Sequence, residues 1–368
     1  MRAILMGGGT AGHLFPSVAV AQRLVADTGA EVLFIGAEGR LDSKILTEHH
    51  LPHRLIPARP FPYGLSLKSL AALWALWQSA RRCLPILREF KPDVVFGAGG
   101  YVSVAGILAA SQLHIPTVCH ASDAHPDRAN RLLARWATRI TTHYEVAAAQ
   151  FPPEKTTVTG QPVRREFLQT TTEASRAQLG IAPEAFVLLV SGGSQGARTL
   201  NYATVEALPR LLELPDVHVL HLTGSLDYED IARKASEAVG DTPRYQCLAF
   251  HEEPWVPIAA ADLALTRGGA SSLAEMSVLG LPMLIVPYPY AAAHQKLNAA
   301  PLVDRGAALV VDNADLTAQW LLDRVSELQA DRVKLLAMRE AARLASQPDA
   351  AERIAAILEE VAKARAET

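Results

Sequence analysis

Short apolar runs of strand type alternate with longer segments whose apolar residues recur at helical spacing, and this alternation persists along the chain. Such a pattern predicts parallel α/β architecture, because a parallel strand is covered on both faces and each crossover needs a helix. In the first half the spacing predicts strands at Ala3–Met6, Glu31–Ile35, Val94–Phe96, Thr117–His120 and Ile140–Thr142, with helices over Phe15–Ala26 and Ser66–Phe90. In the second half it predicts strands at Val187–Val190, Val217–Thr223, Cys247–Phe250, Leu263–Thr266 and Met283–Val286. The helices between these fall over Thr199–Leu212, Tyr228–Ala238 and Ser271–Leu279. An Ala/Glu/Arg-rich tail, Asp349–Ala366, reads as a terminal helix. At 368 residues the chain is longer than one hydrophobic core usually serves. A Gly-Gln-Pro turn at Gly160–Val163 marks the expected boundary: one Rossmann-like domain over 1–162, a second over 163–348, and the tail helix (about 349–366) packing back on the first.

Within this pattern one device occurs twice. An apolar run opens into a glycine-rich turn at Arg2–Gly12 (RAILMGGGTAG) and again at Phe186–Gly196 (FVLLVSGGSQG), each time before a helical segment. Such a turn aims bare main-chain N–H groups and a helix N-terminus at an anion. Two of them predict two similar domains facing each other over a phosphate-binding cleft. Gly7, Gly9 and Gly12 also satisfy G-x-G-x-x-G, with Glu38 past the second strand, so a nicotinamide-dependent dehydrogenase stays open on that motif alone. It leaves unexplained the second turn and a third, Gly97–Gly106 (GAGGYVSVAG). A fourth constellation, Arg267–Gly280 (RGGASSLAEMSVLG), runs from a strand end into a helix, where Glu275 can accept from two ribose hydroxyls or simply favour the helix dipole. His294-Gln295-Lys296-Leu297-Asn298 then follows a Pro-bounded turn and offers amides suited to sugar hydroxyls.

Charge and cysteine content narrow the field. A net charge of −3 gives no general pull toward nucleic acid. Cys83, Cys119 and Cys247 show no metal or redox spacing, as expected of a reduced, cytosolic protein. Met1–Met6 is too short for a signal peptide, and no apolar run is long enough to span a bilayer. Over Ser66–Phe90, Leu67, Leu70, Trp74 and Trp77 recur at helical spacing, with Leu73, Leu76 and Leu87 widening the arc and Lys68, Arg81, Arg82 and Arg88 supplying cations. That stripe is either core or a surface for an anionic membrane.

Six ordered motifs carry a more specific resemblance: GGGTAGHLFP at 7–16, GGYVS at 99–103, GQPVR at 160–164, GGSQGAR at 192–198, RGGASSLAE at 267–275 and HQKLNA at 294–299. In this order the chain resembles the MurG family nearly end to end. The resemblance implies the GT-B fold and a metal-independent, inverting transfer of GlcNAc from UDP-GlcNAc to the 4-hydroxyl of undecaprenyl-diphospho-muramoyl pentapeptide, in peptidoglycan synthesis on the cytoplasmic face of the plasma membrane. It implies that Ser194 meets the donor diphosphate, Glu275 the ribose, Ala270 the sugar through its backbone, Gln295 the GlcNAc hydroxyls, and His251 the uracil edge through its backbone. By the same resemblance Ser271, Ser272, Leu273 and Ala274 are expected in the donor loop, and Arg164 as a further donor contact. The resemblance further implies that Thr10, Ala11 and Gly12 touch the donor from the first domain, on the side that receives the acceptor diphosphate at Gly9, Gly99, Gly100, Tyr101 and Ser103. His13, after the first glycine loop, becomes the expected base, since imidazole can take a proton near neutral pH; the alternative is a histidine that only caps the loop.

The departure from the family lies at His120-Ala121-Ser122-Asp123, where relatives typically carry His-Glu-Gln-Asn. Their Asn meets the donor's acetamido group, whereas Asp123 accepts hydrogen bonds but cannot donate an amide hydrogen. A different sugar donor or glycolipid acceptor therefore stays open, as do a UDP-GlcNAc 2-epimerase, a non-catalytic glycolipid binder and a metal site within HASDAHPD.

Overall fold

A computed structural model describes residues 1–8, 11–39, 42–57, 67–193, 195–289 and 294–366, the side chains of 11, 67–73, 128 and 366 aside. The chain divides into two compact units, Met1–Arg165 with Gln347–Thr368, and Glu166–Ser346.

The first unit holds seven parallel strands: β1 (Arg2–Met6), β2 (Glu31–Ala37), β3 (His53–Ile56), β4 (Val94–Gly97), β5 (Thr117–Ala121), β6 (Arg139–Thr142) and β7 (Thr156–Val158). Their order is β3-β2-β1-β4-β5-β6-β7. The second holds six: β8 (Phe186–Ser191), β9 (Val217–Leu222), β10 (Tyr245–Leu248), β11 (Leu263–Thr266), β12 (Met283–Ile285) and β13 (Ala308–Val310), ordered β10-β9-β8-β11-β12-β13 and also parallel. Each order reverses once, between β1 and β4 and between β8 and β11, because each chain half starts in the middle of its sheet and winds outward twice.

The central strands are apolar throughout, as strands covered on both faces must be: Ala3, Ile4, Leu5 and Met6, like Val187, Leu188, Leu189 and Val190, are fully buried. The helix Ala11–Thr28 covers one face of the first sheet through Leu14, Val18, Ala21 and Leu24. The helix Ala350–Ala366 joins the same core through Ile354, Ala355, Leu358 and Val361, which is why the chain's end belongs to the first unit. Gly160 adopts φ +91°, and a side chain there would press on Gln347 as the chain re-enters this unit.

In the second unit one buried carboxylate ties four elements together. Asp262 accepts from Arg176 Nη2 at 2.7 Å, from the Val187 main-chain N–H at 2.9 Å and from Arg339 Nη1 at 3.3 Å. The Arg176 guanidinium also donates to the carbonyls of Ala260 and Pro183. Arg176 comes from the helix Thr172–Leu179 and Arg339 from the helix Arg332–Ala345, so the cluster clamps two helices to the starts of β8 and β11.

Candidate functional site

In the first unit, β1 and β4 run side by side with Met6 opposite Gly97, so the first and third glycine turns leave neighbouring strand ends where the strand order reverses. Parallel α/β sheets place their ligands at this point. Gly99 and Gly100 adopt φ +98° and +77°, a region costly for any residue with a Cβ. A Cβ on Gly100 would lie 2.7 Å from the Gly8 carbonyl oxygen, and one on Gly99 would lie 3.0 Å from His13 Cδ2. The half-buried His13 ring therefore rests on the Gly99–Gly100 main chain, where the helix Gly100–Gln112 begins. Beneath, Asp42 accepts from the Ala37 N–H at 2.7 Å, and a Cβ on Gly8 would overlap its carboxylate. No sequence signal marked Asp42; burial alone reveals it.

Ser103 behaves differently from the acceptor contact expected of it. It is buried, and its hydroxyl donates to the Gly99 carbonyl at 2.6 Å, with the Met6 carbonyl 3.2 Å away, so it shapes the turn from behind. Helical phase decides this, and the same phase leaves Tyr101 exposed. Ala11 and Gly12 open the helix after the first turn, while Gly9 and Thr10 lie outside the described residues.

Arg164 is buried, with its guanidinium 3.8 Å over the ring of Phe15, two residues past His13. Asp123 is half-buried just beyond β5. The Ser122 hydroxyl is buried with no hydrogen-bond partner among the described residues, whereas His120, His125 and Asp127 have structural partners. His120 Nδ1 lies 3.0 Å from Thr141 Oγ1 and Nε2 3.0 Å from Gln161 Oε1, and burial pushes its pKa down to about 4. Asp127 caps the helix Arg128–Leu133 through the Asn130 N–H, and His125 sits 2.8 Å from Arg131 Nη2. Among the described residues no group of three His, Cys, Asp or Glu side chains is placed to hold a metal ion.

In the second unit the same construction recurs. Thr266 pairs with Ser191, so the turn after β8 and the Arg267–Gly269 segment after β11 leave adjacent strand ends. Gly196 (φ +79°) and Gly224 (φ +78°) meet main chain to main chain: a Cβ on Gly196 would overlap the Thr223 carbonyl oxygen, and one on Gly224 the Gly196 nitrogen. Ser194 lies outside the described residues. In the helix Ala270–Val278, Ser271, Ser272 and Glu275 are half-buried on one face, whereas Ala270, Leu273 and Ala274 are buried, so those three can meet a ligand only through the backbone.

Gln295 Oε1 accepts from the Gly268 N–H at 3.1 Å and the Tyr288 N–H at 2.8 Å, so its amide nitrogen is the end available to a sugar hydroxyl. Asn298 Nδ2 holds the Gly268 carbonyl at 3.0 Å, and Arg267 Nη1 holds Val286 O at 2.9 Å and Asn313 Oδ1 at 2.8 Å. The His251 ring is engaged by its own loop, Nδ1 accepting from the Glu253 N–H at 3.1 Å, beside a cavity of about 500 Å³ lined by Gln246, Leu248, Phe250 and Glu253 among others.

On the helix Leu67–Phe90 the core takes Ala80, Cys83 and Leu87, so Leu87 is not part of any outer stripe. Trp74 and Trp77 are 57% and 46% exposed and stack at 4.7 Å, with Arg81 4.7 Å over the Trp77 ring. The side chains of Leu67, Lys68, Leu70 and Leu73 lie outside the described ones. Among the described residues no helix is long and apolar enough to cross a membrane.

Two Rossmann-like units, each with paired turns where its strand order reverses, define the GT-B fold of nucleotide-sugar glycosyltransferases. The chain matches the glycosyltransferase family 28 N-terminal domain over residues 3–142 and the family's C-terminal domain over 187–354. It is 40% identical to the UDP-N-acetylglucosamine--N-acetylmuramyl-(pentapeptide) pyrophosphoryl-undecaprenol N-acetylglucosamine transferase of Desulforudis audaxviator, covering 98% of this chain and 99% of that one. It is 39% identical to the protein of the same name from Syntrophotalea carbinolica, covering 96% and 97%. Among solved structures, Acinetobacter baumannii MurG superimposes with a TM-score of 0.76 at 28% identity, covering 98% of this chain and 99% of that one. The chain belongs to the MurG family of glycosyltransferase family 28.

Proposed function

We propose that this protein is an inverting N-acetylglucosaminyltransferase that moves GlcNAc from UDP-GlcNAc to the 4-hydroxyl of undecaprenyl-diphospho-muramoyl pentapeptide. The observation that supports this most is the pairing of glycine turns at both switch points in a chain that matches its family end to end. The acceptor hydroxyl attacks the anomeric carbon from the face opposite UDP, the bond to the β-phosphate oxygen breaks, and His13 takes the hydroxyl proton. Negative charge grows on the departing UDP. Main-chain N–H groups after β8 and the N-terminus of the helix Arg198–Leu211 answer it without a metal ion. Glu275, Gln295 and the main chain at Ala270 and His251 hold the nucleotide sugar; Gly99, Gly100 and Tyr101 lie on the acceptor-diphosphate side.

The test is transfer of radiolabel from UDP-GlcNAc to purified lipid-linked muramoyl pentapeptide, with EDTA present in one arm and UDP-Glc competing in another. Label on the lipid in the EDTA arm is expected, and loss of transfer on chelation would overturn the metal-free mechanism. One observation favours a second reading of the donor: Asp123 cannot donate to an acetamido carbonyl as the family's Asn does. Effective competition by UDP-Glc would establish that reading. An epimerase would instead convert UDP-GlcNAc with no acceptor present.

The acceptor is a membrane lipid, and the stacked, exposed Trp74 and Trp77 with Arg81 supply a surface for anionic headgroups on the cytoplasmic face. Trp74→Glu/Trp77→Glu is expected to abolish co-sedimentation with anionic liposomes while the fold, by circular dichroism, is retained. Unaltered co-sedimentation would refute this surface.

A further inference from the structure

The turn after β8 rests on the turn after β9, and a chain of side-chain hydrogen bonds holds the lower turn in place. The fully buried Asn201, in the first turn of the helix Arg198–Leu211, donates from Nδ2 to the Thr223 carbonyl at 2.9 Å and to Asp227 Oδ2 at 3.1 Å. Those bonds use both amide hydrogens, so Asn201 Oδ1 must accept, and His221 Nε2 stands 3.0 Å from it. The proton of this fully buried imidazole is thereby assigned to Nε2, which leaves Nδ1 to accept from the Tyr245 hydroxyl 3.0 Å away. Burial pushes the His221 pKa down to about 3, so the neutral tautomer persists at neutral pH. The Thr223 carbonyl held at the end of this chain is the atom that a Cβ on Gly196 would strike.

We infer that His221 and Tyr245, acting through Asn201, are positioning residues for the donor: they fix the Thr223–Gly224 floor against which Gly196 sets the direction of the diphosphate-binding N–H groups. This rests on the donor role assigned above to the turn after β8. Neither residue lies in the turn itself; both act through Asn201. A freely moving floor would let the turn choose other main-chain directions, and anion binding by main-chain amides depends on their convergence.

The experiment is calorimetric titration of UDP into wild-type protein and into His221→Leu, His221→Gln and Tyr245→Phe, with melting temperatures and amide hydrogen exchange of Gln195–Arg198 measured alongside. His221→Leu is expected to weaken UDP about tenfold, the effect of losing one buried hydrogen bond, and to speed exchange in that segment while β8 stays protected. The donor KM rises, and kcat at saturating donor stays near wild type, because the lost contact serves ground and transition states alike. His221→Gln carries an amide Nε2–H that can reach Asn201 Oδ1, so it recovers most of the affinity, and Tyr245→Phe falls between. A folded His221→Leu with wild-type UDP affinity overturns the inference, as does a His221→Gln no better than the leucine variant. If His221→Leu does not fold, Tyr245→Phe decides alone, and unchanged affinity and exchange overturn the inference. Failure of the wild type to bind UDP is seen before any variant is compared; it overturns the donor reading and takes this inference with it.

Discussion

His13→Ala is expected to lower turnover by about 10²–10⁴, the usual contribution of a positioned general base, while UDP affinity keeps its wild-type value. The two halves of this result separate because the proposed base acts on the acceptor hydroxyl, whereas the turns proposed to hold the nucleotide belong to the second unit. The structure adds a geometric arm. The imidazole lies on the Gly99–Gly100 main chain, and Gly99→Ala would put a methyl group 3.0 Å from His13 Cδ2 at a φ of +98°. That variant keeps the imidazole but displaces it, so kcat should fall; because Gly99 also belongs to the proposed acceptor-diphosphate turn, the acceptor KM should rise with it, while donor affinity stays near wild type. Single-turnover measurements on both variants check the pair. Near-normal turnover in His13→Ala would remove this residue from the chemistry and leave it as a loop-packing group.

Asp262→Ala is expected to destabilise the second unit by roughly 3–5 kcal/mol, because it leaves the guanidinium groups of Arg176 and Arg339 without their shared carboxylate. For a unit of this size that corresponds to a melting temperature lower by about 6–20 °C. The main-chain N–H of Val187 loses its acceptor as well, at the start of the strand that leads into the proposed donor turn. Calorimetry should show the melting transition of this unit moving down, while UDP, the ligand proposed for it, added in excess shifts it partly back. A shift of under about 2 °C would show that water enters and solvates the two arginines.

The α/β class was legible because interior parallel strands are continuous apolar runs, and such runs at Ala3–Met6, Val94–Phe96, Val187–Val190 and Leu263–Thr266 lie within strands of the structure. The edge strands His53–Ile56, Thr156–Val158 and Ala308–Val310 were not, because a short, half-exposed strand needs little hydrophobicity and its pattern merges with the neighbouring loops. The glycine turns were legible too, since a bend with positive φ or close main-chain approach needs glycine. What could not be read was which side chains near them point outward. Ser103, Leu273 and Ala274 fall in the quoted motifs, yet helical phase turns them into the core, whereas Ser271, Ser272 and Glu275 lie on a half-buried face.

Local periodicity and turn chemistry, by themselves, determined the alternation of strands and helices and the places of the glycine turns, while six ordered motifs carried the resemblance to the family. Tertiary structure alone decided that Asn201, His221 and Tyr245 form one chain of hydrogen bonds, that Asp42 lies beneath Gly8, and that Asp262 is shared by two arginines. These partners stand on different strands and helices, separated by distances along the chain that no local rule encodes. They meet because winding outward from a central strand places remote segments side by side, and burial then makes each polar group find a partner.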